Sequence, residues 1–179
     1  MKAIHLSLGC LVAATVLMTS SCKKDLLDIQ EEFDLKTSIV VYGNNPSFTG
    51  EELLDAASES DMISKYADHI KSIEVLEISY YVSAFSGPVT QQINSGSLMV
   101  AESDGSDSHL IATVQNVNLL SAAYESTLTY DQTAINKLTD LIKNDPHQAM
   151  IYLTGDVNEV PADFTVVVKF RVKMVAEVF

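Results

Sequence analysis

Basic residues are scarce in this 179-residue chain, in which 11 Lys and Arg stand against 24 Asp and Glu and give a formal charge of −13. A surface this acidic repels the phosphate backbone of nucleic acids and the anionic head groups of membranes. Nucleic acid is therefore excluded as a partner, and a basic patch cannot be what holds the protein to a membrane.

Residues that ligate metals or act as nucleophiles are scarce as well. His69, His109 and His147 have no second His or Cys two or four positions further on, so neither a zinc nor an iron site is indicated. The chain has no Gly-x-Ser-x-Gly motif, and its many carboxylates show no pattern that singles out an acid/base pair. We therefore expect no catalytic residues, no metal and no cofactor, and we predict that the protein is not an enzyme.

Long apolar runs are missing except at the N-terminus. Lys2 precedes an apolar segment that extends from about Leu6 to Met18, and the small residues at positions 19–21 follow it. This run is shorter than the roughly 20 apolar residues of a membrane-spanning helix, and it has the three-part layout of an export signal. Residues 1–21 are therefore predicted to be a signal peptide.

The segment VLMTSSCKKDLLD, residues 16–28, places small residues directly before Cys22. It resembles the lipobox of bacterial lipoproteins of the Bacteroidetes type, with Thr19 where a Leu is usual. The resemblance implies that Cys22 is diacylated, becomes the mature N-terminus and anchors the protein in the cell envelope, on the periplasmic or surface face of the outer membrane. The alternative is an ordinary cleaved signal that leaves Cys22 as a free thiol.

A lipidated mature chain would contain 158 residues, with ten basic and 24 acidic side chains and a formal charge of −14. Cys10 would leave with the signal and Cys22 would carry the lipid, so no disulfide could form within the chain. An ordinary hydrophobic core must then hold the domain together.

The charged residues 22–34 predict a lipidated cysteine followed by a tether. The tether is either a solvated linker or, through its first charged residues, a weak version of the surface-display signal of some Bacteroidetes lipoproteins.

Alternating apolar residues predict that the body of the chain is rich in β-strands. A first strand is expected from Leu35, and the longest is ADFTVVVKFRVKMVAEVF, residues 162–179. Gly96 inside another predicted strand indicates a bulge or a close approach. In the run SIEVLEISYYVSAF the alternation assigns one face to Leu76, Ile78, Tyr80, Val82 and Ala84.

Two segments predict helices. Residues 49–70 have Thr49 and Glu52 in the spacing of a capping box. The segment DQTAINKLTDLIKNDP offers Asp131 as its N-cap and an apolar stripe on one side. The stripe consists of Ala134, Ile135, Leu138, Leu141 and Ile142.

About seven short strands with helices confined to the connections predict a mainly β fold, an antiparallel β-sandwich that forms a single domain over residues 35–179. An α+β fold is the alternative. Greek-key, immunoglobulin-like topology is the expected detail, although the chain lacks the Trp and the cysteine pair of true immunoglobulin domains.

Two acidic turns are the candidate ligand sites. The first contains Glu102, Asp104 and Asp107, and the second contains Asp156, Asn158 and Glu159. Hard oxygen ligands in a flexible loop can bind Ca²⁺, but neither turn has the spacing of an EF-hand. Asp and Asn also occur in turns for backbone reasons alone, which is the alternative.

Seven tyrosines suggest a surface that stacks on sugar rings, although neighbouring Tyr80 and Tyr81 must point to opposite faces of their strand. The sequence thus predicts a lipid-anchored cell-envelope protein that acts as an interaction or structural module, with a protein or glycan partner. The alternative function is a surface module that binds carbohydrate or calcium.

Overall fold

The computed structural model describes residues 27–178, so the predicted signal peptide, Cys22 and the first part of the predicted tether lie outside the described residues. The three α-helices are α1 (Ala56–Glu59), α2 (Asp61–Tyr66) and α3 (Gln132–Lys143). The eight strands are β1 (Leu27–Gly43), β2 (Ser47–Asp55), β3 (Ile70–Phe85), β4 (Gln92–Ala101), β5 (His109–Asn118), β6 (Ser126–Thr127), β7 (Gln148–Val157) and β8 (Ala162–Val178).

The strands form two four-stranded antiparallel sheets that pack face to face, which confirms the predicted β-sandwich. Sheet A has the order β1-β8-β3-β6, and sheet B has the order β2-β7-β4-β5. Consecutive strands lie in opposite sheets except for β4 and β5. This order is that of a jelly roll built from two Greek keys. The immunoglobulin-like detail is wrong, because immunoglobulin sheets place consecutive strands such as A and B side by side.

The core lies between the two sheets. The long alternating run in β8 buries one face as predicted, and Val168 and Phe170 in its middle are almost fully buried. Phe164 of β8 meets Phe48 of β2 edge to face, with 5.4 Å between the ring centroids. The rings thus join sheet A to sheet B.

The predicted tether over residues 22–34 is wrong from residue 27 onward, because β1 begins there. Leu27 pairs with Val178, and the pairing continues without a break to Gly43. Ile29 and Phe33 pack against the core. In the sequence, the many carboxylates around these two residues make their alternation hard to recognise. The segment is a strand because the long β8 pairs with its backbone.

The predicted helix over residues 49–70 is wrong over its first seven residues. Residues 49–55 belong to β2, which pairs with β7, and the helices begin only after Asp55, whose carboxylate accepts from the backbone N–H of Ser58 at 3.0 Å. Gly50 of this strand has little room for a side chain, because a Cβ at this position would lie 2.6 Å from Cγ2 of Ile39 in β1. The two sheets approach each other closely at this point.

Irregularities in pairing change which residues of β3 face the core. The register with β8 shifts between Val75 and Glu77 and again between Val82 and Ala84. As a result Val75 and Ile78 are both buried, whereas Leu76 and Ala84 are exposed, contrary to the prediction. The prediction for Gly96 is confirmed, because a Cβ there would lie 2.9 Å from Val114 on the neighbouring strand.

Helix α3 is confirmed with the predicted cap. The Asp131 carboxylate accepts from the backbone N–H groups of Thr133 at 2.8 Å and Ala134 at 3.1 Å. The predicted apolar stripe is turned inward, with Leu138 and Ile142 fully buried. The helix contacts β3 of sheet A and three strands of sheet B, so it covers one end of the sandwich.

The connections between strands lie at two opposite ends of the sandwich. The helix end comprises residues 56–69, 102–108 and 128–147, together with the start of β1 and the end of β8. The loop end comprises the other four connections, which are at most seven residues long and therefore hold the strand ends of the two sheets together. These connections are residues 44–46, 86–91, 119–125 and 158–161.

Candidate functional site

The first acidic turn, at the helix end, is organised around Lys137 of α3. The Lys137 ammonium lies between the carboxylates of Glu102 and Asp107, at 2.8 Å from Oδ2 of Asp107. Nε2 of His109 lies 3.1 Å from the other oxygen of Asp107. The hydrogen bonds from Lys137 and then His109 lower the pKa of Asp107 below its usual value. A lysine thus occupies the place that a cation would need.

Asp104, the third residue of this turn, bonds within the turn itself. Its Oδ1 accepts from the hydroxyl of Ser106 at 2.6 Å and from the backbone N–H of Ser106 at 2.9 Å. These two bonds lower the pKa of Asp104. The carboxylate therefore acts as an Asx-type turn former.

The second acidic turn, at the loop end, uses its polar groups in the same structural way. Asp156 accepts from the hydroxyl of Ser47 at 2.6 Å and from that of Ser95 at 3.3 Å. Asn158 accepts from the backbone N–H of Gln92 at 2.8 Å. Each bond joins two different strands or loops, so these residues hold the loop end together.

The two acidic turns cannot form one site, because they lie at opposite ends of β4. That strand has ten residues and therefore spans about 33 Å. Within residues 27–178, no group of three or more His, Cys, Asp or Glu side chains is placed to hold a metal ion. The side chains of the six candidate residues therefore bond to donors within the protein.

Gln91 lies at the centre of the loop end and is fully buried. Its amide Nε2 donates to the carbonyl of Glu159 at 2.6 Å and to that of Pro161 at 3.0 Å. Its own backbone carbonyl accepts from the N–H of Leu119 at 3.1 Å. Gln91 thus ties three of the four connections together, one pair through its buried side chain and the other through its backbone carbonyl.

Further bonds stiffen the same three connections. Thr90 donates its hydroxyl to the Glu159 carboxylate at 2.6 Å, and its carbonyl accepts from the Asn158 amide at 3.0 Å. The Asn118 amide donates to the carbonyl of Val89 at 2.9 Å, and its oxygen accepts from the N–H of Ser121 at 3.0 Å. These loops therefore form one bonded unit.

This unit presents apolar side chains to solvent. Val89 is 69% exposed, Leu120 is 54% exposed and Val160 is 46% exposed, one from each of the three bonded connections. Tyr42, at the end of β1 beside the fourth connection, is 79% exposed. We call these four residues the loop-end surface. Scattered exposed hydrophobic residues are ordinary, but a set held on one rigid end is typical of an interaction site.

The charged side chains at this end are acidic, and they include those of the second acidic turn. The four connections hold two carboxylates, Glu125 and Glu159, and no Lys or Arg. The sequence pattern directed attention to the second acidic turn and missed Gln91, Asn118 and Val89. The only local signal was an apolar residue inside each of the turn segments SGPVT and NEVP.

Comparison with known proteins gives no family. No family model and no curated protein matches the chain. Among solved structures, a chain from Desmodium yellow mottle tymovirus is similar to this one at 10% identity and a TM-score of 0.40, and the match covers 100% of this chain and 97% of that one. A likeness at this level assigns neither a fold nor a function.

In residues 27–178 the structure has no helix with the length and apolar character needed to cross a membrane.

Proposed function

We propose that this protein is a lipid-anchored module of the bacterial cell envelope that holds the loop-end surface away from the membrane, where it binds a protein partner. The proposal includes no catalytic step. The observation that supports it is the place where the described chain begins. Leu27, five residues after Cys22, starts β1 at the helix end of the sandwich.

The length of the tether favours one orientation of the domain. Five residues of chain reach at most about 18 Å, so a lipid on Cys22 holds the helix end near the bilayer. Strand β1 has 17 residues and extends about 55 Å from Leu27 to the loop end. The loop-end surface therefore lies on the opposite side of the domain from the proposed anchor.

The chemistry of the loop-end surface favours a protein as the partner. Apolar side chains on a scaffold that is already rigid lose little conformational entropy on binding, and apolar anchors carry most of the energy at protein interfaces. The surrounding connections hold two carboxylates and no cation, so few charges need to be desolvated.

The anchor is tested by the intact mass of the mature protein. We expect a mass equal to residues 22–179 plus a diacylglyceryl group, and we expect Cys22→Ser to remain an uncleaved precursor, as the lipobox resemblance implies. Two acyl chains make release from the membrane negligible. An unmodified mature chain with a free thiol at Cys22 would contradict the proposed anchor.

The surface is tested by photo-crosslinking in intact cells, with the crosslinker placed at Leu120 of the loop end or at Asp61 of the helix end. We expect one defined protein adduct from Leu120 and none from Asp61. Val89→Asp should reduce the adduct about fivefold or more, because an interface anchor becomes a charge.

Leu110→Asp is the matched control, since Leu110 is 48% exposed but lies at the helix end. This variant should leave the adduct unchanged. Equal losses from Val89→Asp and Leu110→Asp would refute the loop-end surface as the docking site.

A further inference from the structure

The outer face of sheet A carries two adjoining hollows. The first has a volume of about 360 Å³ and is lined by Lys36, Tyr81, Ala123, Tyr124, Glu125 and Lys169. The second has a volume of about 320 Å³ and shares Glu125 and Lys169 with the first. Each volume falls within the range typical of small-molecule sites.

The fold itself brings the two tyrosines together. The register shift near Leu76 turns Tyr80 toward the core and leaves Tyr81 on the outer face, opposite Val167 of β8. The connection that leads into β6 places Tyr124 at the rim of the same hollow, where it is 81% exposed. Two aromatic rings thus line one depression although 43 positions of sequence separate them.

Glu125 is fixed at the boundary between the hollows. Its Oε1 accepts from the hydroxyl of Ser79 at 2.5 Å and from the Lys169 ammonium at 2.9 Å. Both bonds lower the pKa of Glu125, so the group is an ionised hydrogen-bond acceptor at neutral pH. Because Tyr124 precedes Glu125 directly, these bonds also hold the backbone next to the tyrosine.

Lys36 supplies a donor that is not already used. It lies opposite Lys169 in the β1–β8 pairing, and among residues 27–178 no carboxylate forms an ion pair with its ammonium, although its charge acts on Glu125 at longer range. Lys169, in contrast, is held by Glu125 and by Asp34 at 3.4 Å. The first hollow therefore combines a free ammonium donor, a fixed carboxylate acceptor and two aromatic rings.

We propose that these hollows form a glycan-binding site that takes the neutral pyranose rings of an oligosaccharide or polysaccharide. A pyranose has an apolar C–H face that stacks on an aromatic ring, and its hydroxyl rim needs both donors and acceptors. Four carboxylates and three cations line the two hollows together, in a chain of net charge −13, so a phosphorylated or otherwise anionic ligand finds no net positive site there. The two adjoining hollows offer room for more than one ring.

The proposal does not depend on the lipid anchor or on the loop-end surface. It is tested by affinity electrophoresis of the full mature protein in a detergent that has no sugar head group. The gels contain either a neutral glucan, mannan or xylan, or a polyuronate. We expect at least one neutral polysaccharide to retard the protein, and we expect the polyuronate not to retard it.

Tyr124→Ala should weaken the retardation about tenfold, because it removes an exposed stacking face without touching the core. Lys36→Ala should weaken it to a smaller extent. Leu110→Ala is the matched control, since Leu110 is an exposed apolar residue of sheet B that lies outside both hollows and outside the loop-end surface, and it should bind like the unaltered protein.

No retardation by any neutral polysaccharide, retardation by the polyuronate alone, or equal losses from Tyr124→Ala and Leu110→Ala would each overturn the proposal. Thermal melts of the three variants check that folding is unchanged. Failure here would leave the crosslinking result at Leu120 unaffected, so the two proposals can be told apart.

Discussion

Gly155 is the position where the packing of sheet B leaves least room for a side chain. It lies in β7 between Phe48 of β2 and Gly96 of β4. A Cβ added to Gly155 would lie 2.1 Å from the backbone oxygen of Ser95 and 3.0 Å from Cα of Gly96. We therefore predict that Gly155→Ala destabilises the domain, although it adds only one methyl group.

The size of the effect follows from what must move. The contact at 2.1 Å is with backbone and not with a side chain that could rotate, so relief requires β4 and β7 to separate locally. Overpacking costs about 1–3 kcal/mol, and we expect the upper part of that range. In a domain of this size each kcal/mol lowers the melting temperature by roughly 2–4 °C, so a decrease of about 6–12 °C should follow.

Gly43→Ala is the matched control, because nothing lies within 4 Å of a Cβ added there. It should leave stability unchanged or raise it by about 0.4–1 kcal/mol, since Ala restricts the unfolded chain more than Gly does. Both variants are compared with the unaltered protein by thermal denaturation followed by circular dichroism. If Gly155→Ala melts within about 2 °C of Gly43→Ala, the close approach of β4 and β7 is refuted.

Val168→Asp should unfold the domain, because Val168 is 1% exposed and a buried unpaired carboxylate costs several kcal/mol. Ser38→Asp, on the solvent side of β1, should stay folded. Equal melting temperatures of the two variants would show that the inward face of β8 is misassigned. Neither EDTA nor millimolar Ca²⁺ should move the melting temperature by more than a few degrees, since a site filled at 100 times its dissociation constant would add about 2.7 kcal/mol; a large rise with Ca²⁺ would revive the calcium alternative. Lys137 and His109 lower the pKa of Asp107 in the folded protein. The stability that this carboxylate provides is therefore fully present above its unfolded pKa of about 3.9, and it is lost as the pH falls through the lower folded pKa. Asp107→Asn should therefore be less stable than the unaltered protein at neutral pH and should approach it at acid pH, which melts across a pH series would show; a difference that does not depend on pH would contradict this account.

Sequence alone was sufficient for the fold class and for the elements whose pattern is regular and local. The long alternation of β8 and the apolar stripe of α3 each come from side chains a few positions apart, and burial follows that spacing directly. The Asp131 cap likewise needs only the N–H groups of the first turn. These elements were therefore predicted with nearly the right bounds.

Elements that depend on a distant strand were not predictable in this way. Residues 27–34 are rich in charges, yet they form a strand because β8 is long enough to pair with them. Residues 49–55 have helical spacing, yet they form a strand because β7 lies beside them. The faces of β3 depend on register shifts against β8, which no pattern within β3 records.

The same division holds for the sites. Composition pointed to the acidic turns, but it could not show that Lys137, 30 positions beyond Asp107, fills the first one or that Asn158 and Glu159 serve to join loops. The loop-end surface exists because the jelly-roll topology gathers four separate connections at one end. Local spacing determines which residues can become strand or helix, whereas only the pairing of distant strands decides which side chains meet and which remain exposed.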